Sequence, residues 1–343
     1  QESAHVSGII GHTMYGVLAL GESRARGLPI VPLLERHESS YLCGAYLGSD
    51  IVTMPEAVCV DTGEEVGYAT VPLARSPITG GAVRPWMFRF GDREYRPREI
   101  FDRFYGRAHL VFGWATADRQ HTVPWDHLSD YVALTIQDSL TSHPAGDDSG
   151  DRPVAYLFGW LVHIVGDSLI KSVRPGLRLT LLDGTYTPAN RPIQDLVTFH
   201  EVGRKQLGLD WKQLLDGLAA TPVEPVQLHA LRLTRPRGRL AQCFPNAWSP
   251  EDEPLALAVF AENRRYLVPY LARLLPDYDL TDGPDGPQCR PEMSRLANGL
   301  TYPEMVDAAK QADFESALRQ IATTTVDLFE EVLDRVPQLQ RRS

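Results

Sequence analysis

The stretch Tyr156-Leu-Phe-Gly-Trp-Leu-Val-His163-Ile-Val-Gly-Asp167 constrains the chain more than any other. It is apolar almost throughout, as a helix buried on all sides must be. Pro153 precedes it at a place where a first-turn proline costs no hydrogen bond, so a helix over 153–171 is expected. His163 and Asp167 stand four residues apart and therefore project from one face, where they can bind one cation or bridge two. The plain alternative is a core histidine satisfied by a carboxylate one turn away. An ionisable pair in so apolar a run is costly without compensation, and a metal ion would compensate it.

Around this helix the pattern is mainly α. Apolar spacing predicts helices over 13–26, 128–140, 193–208 and 210–218, and long amphipathic ones over 254–275 and 303–336. The stretch 41–51 is apolar and ends in Gly48-Ser-Asp50. Residues 52–107 are rich in Gly, Pro and Arg with short strand-like pieces, and read as an irregular insertion or small hairpin layer. A hairpin is expected over 175–192, and polar loops over 142–151 and 277–291. The organisation predicted is a helical core over 1–220 with that insertion, followed by a helical extension over 221–343 that could belong to the same domain.

With 343 residues and 43% hydrophobic side chains the chain can bury a sizeable core. The net charge of −10 opposes tight, sequence-independent binding to a nucleic acid backbone, unless cations in a cleft reverse the sign locally. No apolar run reaches the roughly 18 residues that span a bilayer, so a soluble protein is expected. Cys43, Cys59, Cys243 and Cys289 lack the spacing of a zinc knuckle, while their even number permits two disulfides. There is no Gly-Lys-Ser/Thr phosphate loop and no Gly-x-Ser-x-Gly elbow. Trp86, Phe88, Phe90, Phe101 and Phe104 lie among arginines, a mixture that suits base stacking, lipid contact or simply a small core with a solvated face.

Three segments taken together resemble the zinc-dependent phospholipase C and S1/P1 nuclease superfamily. Gly159-Trp-Leu-Val-His163-Ile-Val-Gly-Asp167 is similar to its His-x-x-Gly-Asp helix. Gly8-Ile-Ile-Gly11-His12 resembles the segment that opens those nucleases, and Gly44-Ala-Tyr-Leu-Gly-Ser-Asp50 the segment that ends in a zinc-binding aspartate. Their order along the chain agrees. The resemblance implies a multi-helix bundle with a few short strands, export from the cytoplasm to a secreted or periplasmic location, and hydrolysis of a phosphodiester, either a phospholipid or single-stranded nucleic acid. It implies zinc ligands at His12, Asp50, His163 and Asp167, with Asp50 also the catalytic carboxylate that takes the proton of a zinc-activated water. A further ligand is expected from His109, His121 or His127. His109 is favoured because Ala108-His-Leu-Val-Phe reads as a strand edge, and His121 is kept as the second choice.

The resemblance also places a ligand at His200, with departures nearby. The residue one turn on is Arg204, a cation that cannot bind metal, so Glu201 or Asp195 would have to substitute. Val173 stands where related nucleases carry another histidine. No N-terminal Trp is present, and His5 is the nearest replacement. These departures imply one or two zinc ions rather than the family's three. They also motivate the rival reading, a non-catalytic binding or structural protein on the same scaffold.

Overall fold

The computed structural model describes residues 9–46, 54–67, 74–76, 79–100, 128–142, 148–170, 190–221, 253–284 and 286–341. The chain is mainly α-helical with a few short strands, as the apolar spacing predicts. Helices α1 (Ile9–Ala25), α2 (Val31–Arg36) and α3 (Glu38–Tyr46) open the fold, and α4 (Pro97–Ile100) closes a small β layer. After them come α5 (Leu128–Ser142), α6 (Asp148–Ile170), α7 (Asn190–Val197) and α8 (Trp211–Ala220). The last part holds α9 (Glu253–Tyr278), α10 (Pro291–Leu296), α11 (Tyr302–Gln311) and α12 (Phe314–Arg335).

Helix α6 is the axis of the bundle. Every described side chain from Pro153 to Gly166 is buried, because α1, α2, α3, α5 and α12 all pack on it. It starts earlier than the sequence suggests, at Asp148, so Pro153 falls in the second turn and forfeits the bond to the carbonyl of Ser149. The closest packing is with α3, and two glycines permit it. A Cβ on Gly44 would stand 2.9 Å from the Trp160 nitrogen and closer still to the Tyr156 carbonyl oxygen. A Cβ on Gly159 would stand 2.9 Å from the Ala45 nitrogen and closer still to the Tyr41 carbonyl oxygen. The contact is reciprocal, backbone against backbone. Only glycine at both positions lets the axes approach this far, and Cα–H groups facing carbonyls add weak attraction.

Helix α12 shows the spacing that buries one face: Phe314, Ala317, Leu318, Ile321, Thr325, Leu328, Phe329 and Val332 are inward. Phe329 meets Phe158 of α6 edge to face, with centroids 4.8 Å apart. The C-terminal helices therefore share one hydrophobic core with α1, α3 and α6. The expected single helix over 303–336 is divided into α11 and α12 at Asp313, whose φ of 52° is left-handed and breaks the hydrogen-bond ladder. Helix α11 starts at a capping box in which Thr301 and Glu304 satisfy each other's backbone N–H groups.

The β layer is antiparallel throughout. Strand β1 (Pro55–Cys59) lies between β2 (Glu65–Gly67) and β3 (Val83–Pro85), and β4 (Phe88–Phe90) pairs with β5 (Arg93–Tyr95). Met54, Phe88 and Ile100 pack with Leu255, Ala256, Val259 and Phe260 on the first half of α9, forming a second, smaller core. The second half of α9 enters the main core through Leu267, Leu271, Leu274 and Tyr278. Within the expected loop 277–291 there is a short hairpin, β6 (Thr281–Gly283) with β7 (Gly286–Gln288). The hairpin expected over 175–192 lies almost entirely outside the described residues. Cys43, Cys59 and Cys289 are free thiols, and Cys243 lies outside the described residues. Among the described residues no helix is long and apolar enough to cross a membrane.

The glycine contact makes a direct prediction. Gly159→Ala, which drives a methyl into the Tyr41 carbonyl, should destabilise the protein by more than about 3 kcal/mol, since the obstacle is backbone rather than a movable side chain. Gly21, exposed within α1 with nothing near its would-be Cβ, should respond oppositely: Gly21→Ala should stabilise by about 0.5–1 kcal/mol. Urea unfolding of both variants checks the pair, and similar effects of one sign would refute the close approach.

Candidate functional site

Two of the sequence-predicted residues are brought together inside the bundle. His12, on the first turns of α1, and His163, on α6, are both fully buried, at 1% and 0% exposure. Their imidazoles stack with centroids 4.1 Å apart and planes 19° from parallel. Tyr15, one turn after His12, meets the His12 ring edge on at 5.4 Å. The glycine crossing positions one partner of this pair. His163 Nδ1 is 3.0 Å from the carbonyl oxygen of Ala45, the residue after Gly44. A carbonyl can only accept, so Nδ1 carries the hydrogen and, in the neutral ring, Nε2 carries the lone pair. A hydrogen bond from one imidazole nitrogen to a backbone carbonyl is the usual way of orienting a metal-binding histidine.

A buried carboxylate approaches α1 at Gly11. Asp195, on α7, places Oδ1 at 3.3 Å from where a Cβ on Gly11 would stand, and Tyr15 Oη lies 3.7 Å from the same point. Gly11 thus leaves room for the carboxylate beside the residue that precedes His12. Asp195 Oδ2 accepts a 2.9 Å hydrogen bond from the Tyr278 hydroxyl at the end of α9. The carbonyl of the same Tyr278 accepts from His200 Nε2 at 2.7 Å. One residue of the C-terminal half therefore holds both an acid and a base of the preceding segment.

His200 itself lies in a π-helical segment, Thr198–Gln206, that continues α7. The wider coil carries its ring to Tyr278 and against Phe199 and Tyr302, with centroids 4.8 and 5.6 Å away. With Nε2 donating to a carbonyl, only Nδ1 keeps a lone pair. Burial holds His200 below its ordinary value of 6.5, although the Tyr278 carbonyl opposes the shift. Although burial opposes it, Lys205 and the Tyr302 hydroxyl hold Glu201 below the usual carboxylate range. Arg204, at the position where the resemblance expects a carboxylate, lies over the Phe199 ring at 4.5 Å and is 3.7 Å from Asp279.

The other expected ligands are not all in view. Asp50, His109 and His121 lie outside the described residues, as do Val173 and His5. Asp167 belongs to the last turn of α6, with its side chain outside the described residues. Among the described residues no group of three or more His, Cys, Asp or Glu side chains is arranged to hold a metal ion. The roles of Tyr278 and of Gly11 beside Asp195 are set by contacts between segments far apart in the chain and carry no mark in the local sequence.

The buried state of His200 has a measurable consequence. With its native value lowered, the folded protein takes up fewer protons than the unfolded chain as pH falls below 6.5. Stability should therefore decline from pH 7.5 to 5.5, and His200→Gln should decline less steeply over that range than wild type does. Urea midpoints at the two pH values test this, and parallel pH dependence in the two proteins would refute it. The chain matches no family model, no curated protein and no solved structure.

Proposed function

We propose that this chain is a metal-dependent phosphodiester hydrolase whose centre is built on His12 and His163. The observation that carries the reading is the pair itself: two fully buried imidazoles from distant segments, ring against ring, one of them oriented by the Ala45 carbonyl. Neutral imidazole nitrogen is a preferred zinc ligand, and the outer hydrogen bond of His163 fits that role. The remaining donors would be Asp167, one turn beyond His163, together with Asp50 and either His109 or His121. Bound there, zinc would supply Lewis acidity toward a phosphodiester oxygen. The chain's own part is to keep the two rings in register, exclude bulk water from them, and offer Asp50 as proton acceptor. Substrate, a phospholipid or single-stranded nucleic acid, and an exported location are part of the same proposal.

A second reading, a non-catalytic scaffold, is favoured by one observation. The ring of His200 is committed to the Tyr278 carbonyl and Arg204 to Phe199, so this corner of the expected centre is built as packing.

Metal analysis of protein purified without chelator separates the two. The hydrolase reading expects at least one equivalent of zinc and a rise in melting temperature when zinc is added, because a ligand that binds only the folded state stabilises it. His163→Ala should lose metal together with turnover of a chromogenic phosphodiester, single-stranded DNA or phosphatidylcholine. Less than about 0.2 equivalents of metal, with no thermal shift, would leave the scaffold reading standing.

A further inference from the structure

Helix α9 passes from one hydrophobic core to the other, and the passage coincides with a gap in its own hydrogen bonding. Leu255, Ala256, Val259 and Phe260 belong to the small core of the β layer, and Tyr266 packs against that core. The next residue, Leu267, already belongs to the main core, followed by Leu271 and Leu274. Pro269 lies inside the helix, so the Arg265 carbonyl finds no N–H four residues on, and the proline ring crowds that same carbonyl. The change of core between Tyr266 and Leu267 thus falls within a turn, Arg265–Pro269, that lacks its bond. Pro269 is exposed, so packing does not explain a residue that disfavours helix interiors more than any other.

We propose that the β layer and α9 up to Tyr266 form a hinged unit, which opens from the bundle by bending α9 at the Arg265–Pro269 turn, with Arg264 as its latch. The unit is tied within itself. Met54, Phe88 and Ile100 share the small core with α9, the Tyr266 hydroxyl donates to Glu65 of β2 at 3.1 Å, and Trp86 meets the Tyr266 ring edge on at 6.1 Å. The latch joins it to the bundle. Arg264 donates to the carbonyl of Ala219 at 2.6 Å and to that of Thr221, at the end of α8, where a helix leaves acceptors without partners of its own. Leu215 and Leu218 of α8 lie in the main core, so the far side of the latch is fixed. Sharp bends in helices concentrate at prolines, and local opening is drawn from the parts that bury least apolar surface. Opening here uncovers the small core and leaves the main one closed. The proposal stands apart from the hydrolase reading.

Hydrogen exchange of the full chain under native conditions, read by mass spectrometry, tests it. Amides of β1, β4 and residues 255–260 should exchange together and about a hundredfold faster than those of α6 and α12, with protection rising again beyond Pro269. Pro269→Ala restores the missing N–H at an exposed position. It should slow exchange in β1, β4 and 255–260 about tenfold and leave 271–275 unchanged. Arg264→Met keeps the apolar stem and removes the donors, and should speed the same three segments about tenfold or more with α12 unaffected. Even protection along the whole of α9, or no response of β1 and β4 to Pro269→Ala, would overturn the hinge. So would a response of 255–260 that the strands do not share, which would mark simple fraying of the helix end.

Discussion

The reciprocal glycine contact between α3 and α6 is the constraint on which the interior depends. Two helices that meet through Gly44 and Gly159 approach until carbonyl oxygens face Cα–H groups, and the approach leaves no slack in rotation or register. Because the register is fixed there, the Ala45 carbonyl falls opposite His163 one turn farther along α6. Because α6 is held by α3, α1 can lie across both and bring His12 onto the His163 ring. A local matter of side-chain size is thus converted into the orientation of an imidazole.

The polar groups around α1 are handled by sharing rather than by exposure. Tyr278 offers its hydroxyl to Asp195 and its carbonyl to His200, so the end of α9 orders both groups in a single hydrogen-bonded strap. The π-helical segment makes this possible. Its wider turn changes which residues share a face, turning Phe199 onto Trp211 with centroids 4.9 Å apart and His200 toward Tyr278 and Tyr302. The C-terminal helices are consequently part of the setting of the site: α9 supplies Tyr278, and α12 closes the core against α6 through Phe329.

Much of the helical plan was legible because burial on one face or all faces writes itself as apolar spacing. The inward residues of α12 follow that spacing, and the continuous apolar run of α6 marks an axis helix. The boundaries were less so. The break at Asp313 is a single left-handed residue, which no periodicity announces, and α6 begins before the proline that suggested its start. The π-helical character of Thr198–Gln206 was also invisible, since its composition does not differ from that of an α-helix.

For the site, the sequence by itself determined that positions 163 and 167, four apart in a helix, fall on one side of it, and that His12 directly follows a glycine near the opening of α1. Spacing within one helix is a local property, so four residues of separation suffice to decide it. Only the tertiary structure decided that His12 and His163 stack, that the Ala45 carbonyl takes the hydrogen of His163 Nδ1, and that His200 turns to Tyr278 instead of joining them. Those pairings span separations of 151, 118 and 78 residues, the first being 163 less 12. At such distances the outcome is set by how closely backbones can pack, which residue types alone do not disclose.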